Sequence, residues 1–216
     1  MGRTSDAREQ LIEAAADLWH GRSYAGVGVS EICAAAGVQK GSFYHFFASK
    51  QDLALAVIDD RWNELGTCGI GPLMTGALPP LDRIRTFIAR GLQNQIALKE
   101  ATGVAPGCTF GNLAVEMSGV DEVLRARLQG VFRDWAGFIR AALDDAVAAG
   151  DIPPTDTDRA ARAILAYVEG LAVLAKAAQD PAAVADLTSL TLRLVGVEPE
   201  TEPEPAIAPA DERTSR

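Results

Sequence analysis

Hydrophobic residues recur every three or four positions along most of this chain, and strict alternation of apolar and polar residues is scarce. The first spacing is that of one face of an amphipathic α-helix, whereas alternation is typical of a half-buried strand. The longest such face runs from Leu124 to Ala146 and stops before Gly150. We therefore predict an all-α fold of about nine helices. One ends near Gly21, and the others lie close to residues 30–36, 39–46, 49–62, 81–92, 112–117, 124–149, 157–178 and 187–194.

Serine, glycine and proline mark the ends of these predicted helices. Ser30 and Ser49 stand where N-cap residues are expected, and Gly37 stands where a left-handed residue ends a helix. Residues 66–80, with four glycines and three prolines, are predicted to be a loop, as are residues 103–107. From Glu198 onward the repeated Glu and Pro residues are too polar to form a core, so this tail is expected to be disordered.

The two short helices at 30–36 and 39–46 have the spacing of a helix-turn-helix. In that motif the first helix crosses the DNA backbone and the second lies in the major groove, so the second needs one buried and one polar side. The buried side is supplied by Phe43, Phe46 and Phe47. The outward positions are Gln39, Lys40, Ser42, Tyr44 and His45, and Gly41 leaves room for the DNA backbone.

The overall charge at first argues against a nucleic-acid partner. The 216 residues include 20 Lys and Arg against 29 Asp and Glu, a formal net charge of −9 at pH 7, and phosphate binding needs local positive potential. The acidity is unevenly placed, however, since residues 196–216 hold six acidic and two basic residues, while the first 52 residues are close to balanced. The composition therefore allows a DNA-binding domain on an acidic body.

The cysteines and the apolar segments bear on the compartment. Cys33, Cys68 and Cys108 form a sparse, odd set that fits a reducing compartment better than a secreted one. The first residues contain no apolar leader, and charged residues interrupt the long apolar stretch at 160–178. We expect a cytoplasmic protein with no membrane partner.

No residue pattern favours an enzyme. His20 and His45 lack the spacing of a metal site. The Asp pairs at 59–60 and 144–145 are adjacent on predicted helices, so their carboxylates point apart. A phosphate loop directly follows a strand, but no strand is predicted before the glycines at 66, 69 and 71. We expect no catalytic residue, no metal and no cofactor.

The residues of the helix-turn-helix resemble a known family. The resemblance is carried by the run Ala35-Ala36-Gly37-Val38-x-x-Gly41-Ser42-Phe43-Tyr44-His45-Phe46-x-x-x-Lys50-x-x-Leu53, with Tyr24 and Val29-x-x-Ile32 before it. It is similar to the N-terminal signature of the TetR/AcrR transcriptional repressors and covers about residues 8–55. The resemblance implies a DNA-binding domain at 1–52, a ligand-binding and dimerisation domain at 53–195 and the acidic tail at 196–216. It also implies a homodimer that binds a double-stranded DNA operator and a small-molecule effector.

The same resemblance assigns the DNA contacts. It points to Gln39, Lys40, Gly41, Ser42, Tyr44 and His45, with Lys50 on a phosphate at the start of the fourth helix. The alternative interpretation of Tyr44 is that it only covers the surface of the domain and does not contact DNA. Two positions depart from the family, because Val27-Gly28 replaces a frequent pair of hydroxyl residues and Gln39 replaces a frequent capping serine.

This chain resembles one subgroup of the family at two further positions. That subgroup responds to reactive electrophiles or small unsaturated acids. In that subgroup a Gly-Cys pair opens the sixth helix and a lysine recurs in the eighth, where this chain has Gly107-Cys108 and Lys176. A cysteine near an ammonium group or a helix N-terminus has a lowered pKa, which would suit an electrophile sensor. The alternative is that Cys108 is a small residue buried in the pocket wall.

The candidate pocket combines those two positions with residues on neighbouring predicted helices. The predicted ligand-binding set is Trp62, Cys108, Phe110, Asn112, Trp135, Tyr167 and Lys176. Aromatic residues at helical spacing are more often plain core, which is the alternative for Trp135 and Tyr167. Asn112 and Glu116 are polar members one turn apart on an apolar helix, with a surface pair as the alternative. Two alternatives to a repressor remain: an activator of the same fold, and a helical adaptor with a vestigial helix-turn-helix.

Overall fold

The fold is known from a computed structural model that describes residues 3–198, with the backbone alone for residues 3–5 and 67. Throughout that range the regular elements are helical, which confirms the all-α prediction. The predicted acidic tail lies outside the described residues from residue 199 onward. Of the described helices, none is long and apolar enough to cross a membrane.

The N-terminal domain is built from three helices: α1 (Arg3–Gly21), α2 (Val29–Ala35) and α3 (Lys40–Phe46). They bury a shared core of apolar side chains that includes Leu11, Trp19, Ile32, Phe43 and Phe47. Gly37 has a φ of +64° and lies between α2 and α3. This turn therefore has the left-handed residue that the sequence predicted.

The start of α2 differs from the prediction. Its N-cap is Gly28, whose carbonyl oxygen accepts hydrogen bonds from the N–H groups of Glu31 and Ile32. Ser30 was expected there and instead lies within the first turn. The prediction was wrong by two residues because the backbone is already helical from Val29, so Ser30 lies inside the helix and no side chain caps its start. Ser49, by contrast, caps the next helix as predicted and accepts from Asp52 N–H.

The segment predicted as a loop at 66–80 is largely helical. Helix α4 (Lys50–Trp62) continues through a π-helical segment (Asn63–Ile70) into the short helix α5 (Gly71–Met74). The prediction was wrong because these glycines serve close packing: a Cβ at Gly66 would lie 3.2 Å from the Trp62 indole. Ile70 and Met74 are buried and hold the segment on the core.

The C-terminal domain surrounds one long helix. In chain order it contains α6 (Pro80–Thr102), α7 (Thr109–Met117), α8 (Glu122–Ala149) and α9 (Thr157–Ala178), followed by two 3-10 helices (Pro181–Val184 and Asp186–Val195). Helix α8 packs against α4, α6, α7 and α9 and buries nine of its residues. Because α7 also touches α1, it lies between the two domains.

Candidate DNA-binding face and effector pocket

The recognition helix α3 has one buried and one exposed side. Phe43 is fully buried, whereas Tyr44 is 55% exposed and rests edge-on against the Phe43 ring at 5.1 Å. The other outward positions are also exposed: Gln39, Lys40, Gly41, Ser42 and His45. Gln39 is the N-cap of α3 and makes no side-chain capping bond. The first turn of α3 therefore keeps backbone N–H groups available for an acceptor.

Lys50 lies apart from this exposed face. It is the first residue of α4 and is half-buried. Its Nζ donates to the backbone oxygen of Tyr24 and lies 4.1 Å from the centre of the Tyr24 ring. Burial lowers the pKa of Lys50, and the nearby Glu116 carboxylate opposes that change. In this arrangement the Lys50 ammonium is bound within the protein.

A cavity of about 400 Å³ lies where the end of α1 and the following loop meet α7 and α9. Three members of the predicted ligand-binding set line it: Cys108, Asn112 and Lys176. The remaining lining residues come from the end of α1, the loop after it, α7 and α9, and the sequence had marked Glu116 among them. They are Trp19, Gly21, Arg22, Ser23, Tyr24, Gly111, Leu113, Val115, Glu116, Glu169, Ala172 and Val173.

Lys176 and Asn112 form a polar pair in the cavity wall. Lys176 Nζ donates to Asn112 Oδ1 at 2.8 Å, and Asn112 Nδ2 donates to the backbone oxygen of Pro106 at 2.9 Å. The turn before α7 is tied down as well, because the Gly107 oxygen accepts from Gln95 Nε2 at 3.1 Å. The ammonium is therefore held at a fixed place beside the cavity.

Cys108 faces a carboxyl group. The thiol lies beside the Glu169 carboxyl group, and its Sγ accepts a hydrogen bond from Gly111 N–H at 3.4 Å as the N-cap of α7. Burial raises the pKa of the Cys108 thiol, and the charge of Glu169 raises it further. The expected lowering was wrong because Lys176 is bound to Asn112 while an acidic group lies against the thiol. Burial also raises the pKa of Glu169.

The remaining predicted ligand residues lie elsewhere. Trp62, Phe110 and Trp135 belong to an aromatic cluster in the core, with ring centres 6.0–6.2 Å apart. Trp135 Nε1 is buried there without a hydrogen-bond partner among the described residues. Tyr167 packs in a separate small apolar cluster, and its hydroxyl donates to the backbone oxygen of Leu187 at 3.0 Å. None of these four residues lines the cavity described above.

Three side-chain contacts join the N-terminal domain to the segment from 107 to 121. His20 Nε2 and the Gly107 oxygen are 3.0 Å apart, and Gln51 Nε2 donates to Asp121 at 2.8 Å. Between them, the two oxygens of Glu116 accept from the backbone N–H groups of Tyr24 and Ala25, each at 2.7 Å. The sequence marked Glu116 as a polar residue on an apolar helix but did not show its partner.

Comparison with known proteins identifies the two domains. The family model described as "Bacterial regulatory proteins, tetR family" matches residues 11–57, and the model described as "Tetracyclin repressor-like, C-terminal domain" matches residues 80–190. The chain belongs to the TetR family of transcriptional regulators. The helix-turn-helix and the C-terminal helices are thus those of a DNA-binding regulator.

Named TetR-family relatives match most of the chain. The transcriptional regulator AcuR of Cereibacter sphaeroides is 34% identical over 171 residues, which are 79% of this chain and 76% of the relative. The HTH-type transcriptional repressor DhaR of a Mycobacterium species is 32% identical over 135 residues, 62% of this chain and 64% of the relative. A crystal structure of the regulatory protein TetR from Rhodobacter sphaeroides matches with a TM-score of 0.78 and 32% identity, over 87% of this chain and 98% of that one.

The TetR-family match also locates the cavity relative to the two domains. Trp19 and Tyr24 fall in the matched N-terminal region, whereas Cys108, Glu169 and Lys176 fall in the matched C-terminal region. The cavity therefore lies between the DNA-binding domain and the regulatory domain of this TetR-family protein.

Proposed function

We propose that this protein is a homodimeric repressor that leaves a palindromic operator when a small molecule enters the cavity at the domain junction. The observation that carries the proposal is the position of that cavity, whose wall is shared by the α1–α2 connection and by α7 and α9. A ligand there touches both domains at once, so it can favour one relative position of the two over another. The name of the relative DhaR, a transcriptional repressor, supports repression as the direction of control.

The proposed DNA interface is the exposed side of α3. Tyr44, His45 and Ser42 supply contacts to base edges or phosphates, while Gln39, Lys40 and Gly41 lie at the helix start, where the DNA backbone approaches closely. Phosphates also meet the free N–H groups of the first turn. In this arrangement Lys50 stabilises the DNA-binding domain and does not contact a phosphate, because its ammonium is bound to Tyr24.

The proposed dimer pairs α9 and the last 3-10 helix with their copies. Outside the cavity wall these elements expose large apolar side chains, namely Leu174 and Leu194. A two-fold axis through this face makes the contact self-complementary and presents two α3 helices to successive major grooves, about 34 Å apart on DNA. Two half-sites then supply affinity that one nearly neutral DNA-binding domain lacks.

The proposed effector is a small polar molecule. The cavity offers the Lys176 ammonium, the Asn112 amide and the Glu169 carboxyl group beside apolar surface from Leu113 and Ala172. A ligand acceptor that replaces Asn112 at Lys176 is charge-assisted and therefore strong. The Cys108 thiol lies in the same wall, where an electrophilic effector would react only with its small thiolate fraction.

Operator binding tests the proposal. DNA fragments selected from the chain's own genome by the purified protein are footprinted, and a protected two-fold symmetric site is expected. Tyr44→Ala should weaken binding about 5- to 150-fold, the range of a lost base contact, whereas Val120→Ala, an exposed residue far along the chain from α3, should not. Protein that protects no symmetric site, or a Tyr44→Ala variant that binds like the parent, contradicts the proposal. A reporter that falls when the protein is removed would indicate an activator.

A further inference from the structure

Glu116 connects the wall of the cavity to the backbone of the DNA-binding domain. It lies on the last part of α7 and lines the cavity. Both of its carboxylate oxygens are used, one by Tyr24 N–H and one by Ala25 N–H, each at 2.7 Å. Because the donors are successive backbone groups, the carboxylate grips the loop itself and does not depend on side-chain rotamers there.

Tyr24 carries this connection onward to the start of α4. Its backbone oxygen accepts from Lys50 Nζ, and its ring lies 4.1 Å from that ammonium and 5.0 Å from the Trp19 ring. Lys50 begins α4, which follows α3 after the short segment 47–49. The chain of contacts Glu116–Tyr24–Lys50 thus runs from the cavity to the end of the helix that is proposed to read DNA.

Of the three junction contacts described above, the one made by Glu116 lies in the cavity wall. Neither His20 with Gly107 nor Gln51 with Asp121 lines the cavity, whereas Glu116 and Tyr24 both do. An occupant of the cavity therefore touches the Glu116–Tyr24 contact directly. It can affect the other two contacts only indirectly, through the backbone.

We propose that Glu116 is the positioning residue through which an occupant of the cavity moves the DNA-binding domain. The inference rests on the proposed function, since it names the link between its two halves. In the arrangement described here the carboxylate holds the loop at Tyr24 and Ala25. An occupant that displaces the carboxylate releases the loop, and the domain then samples other positions.

Amide hydrogen exchange tests the grip without any DNA. Glu116→Gln keeps the shape of the side chain but turns one acceptor into an amide donor that opposes an N–H group. The Tyr24 and Ala25 amides should exchange at least about fivefold faster in this variant, with the melting temperature little changed. Glu100→Gln, an equal change of charge at an exposed position on α6, is the matched control. Equal exchange rates in the two variants overturn the proposal.

A cavity-filling variant tests the coupling. Ala172→Phe places a ring in the cavity from α9, and the control Ala126→Phe adds the same ring at an exposed position of α8, outside the cavity and away from the proposed dimer face. In the parent protein, Ala172→Phe should speed amide exchange at Tyr24 and Ala25 and weaken operator binding. In the Glu116→Gln variant, the same substitution should change the exchange rates and the operator affinity only a little further. An effect that is absent, or equal in both backgrounds, overturns the proposal. If no operator exists the proposed function fails, while the exchange measurements still decide the role of Glu116.

Discussion

The side chain of Cys108, the N-cap of α7, lies against the carboxyl group of Glu169 in the middle of α9. The Glu169 carboxylate opposes ionisation of the Cys108 thiol, whereas the thiol slightly favours the ionised carboxylate, so that burial alone accounts for the raised pKa of Glu169. Burial is the largest cause for each, and the charge of Glu169 adds to the effect on the thiol. Thiolate at Cys108 is therefore scarce at neutral pH, in contrast to what a helix N-terminus beside a lysine would provide.

The thiol reactivity follows from this pairing. Cys108 should be alkylated by iodoacetamide more slowly than Cys68, because only the thiolate reacts and the pKa of the Cys108 thiol is raised. Cys68, which is exposed, serves as the internal control. Site-resolved mass spectrometry over a time course at pH 7.5 measures both rates. Faster labelling of Cys108 than of Cys68 would show that the thiol is activated and would favour covalent sensing.

A companion variant asks whether that thiol is needed for the response. Cys108→Ser should leave operator binding intact, since serine is similar in size and its oxygen can accept from Gly111 N–H as the sulfur does. Release of the operator by an electrophile should be lost only if the effector forms a bond to sulfur.

The pH dependence of stability should carry the signature of Glu169. Burial raises the pKa of its carboxyl group above the ordinary 4.5, so the folded protein keeps a proton that the unfolded chain has already lost. The resulting stabilisation is complete below pH 4.5 and disappears as the pH rises through the raised folded value. Unfolding free energies of the parent should thus fall across that window relative to Glu169→Gln. Glu100→Gln, exposed on α6, should track the parent; parallel curves for the parent and Glu169→Gln would refute the assignment.

Gly111 leaves room for the Glu169 side chain beside α7. A Cβ at this position would lie 2.4 Å from Glu169 Oε2, so Gly111→Ala must displace that carboxyl group. Gly91→Ala is the control, because a Cβ there meets nothing within 4 Å and alanine favours a helix by about 1 kcal/mol. Gly111→Ala should therefore raise the free energy of unfolding less than Gly91→Ala does, and urea unfolding of the two variants checks the difference. An equal gain in both variants would contradict the close approach of Glu169.

We expect Lys50 to contribute to stability and Lys40 to contribute to DNA binding. Lys50→Ala removes the contacts to the Tyr24 oxygen and ring and should cost about 1–2 kcal/mol of stability. Lys40→Ala, at the exposed start of α3, should leave the melting temperature unchanged and reduce the salt slope of operator binding by about 1. A Lys50→Ala variant with unchanged stability and a smaller salt slope would restore the phosphate contact that the family resemblance implies.

The helical periodicity was sufficient to predict the class of fold and the helix-turn-helix. Phe43 inside and Tyr44 outside follow from a 3.6-residue repeat, and the structure shows both as predicted. The glycines at 66 and 71 misled the prediction, since composition alone does not distinguish a glycine that makes a turn from one that admits a neighbouring side chain. The boundaries of the domains at 52 and 195 remain predictions.

The sequence by itself determined the all-α architecture, the exposed side of α3 and the presence of Cys108, Asn112 and Lys176 near a cavity, because local periodicity and family motifs depend on nearby residues. Only the tertiary structure decided the partners: Lys176 meets Asn112, Cys108 meets Glu169, and Glu116 meets the loop at Tyr24. These partners lie 61 to 92 positions apart along the chain. Their pairing depends on how α7 packs between α1 and α9, and helical spacing within one element carries no information about that packing.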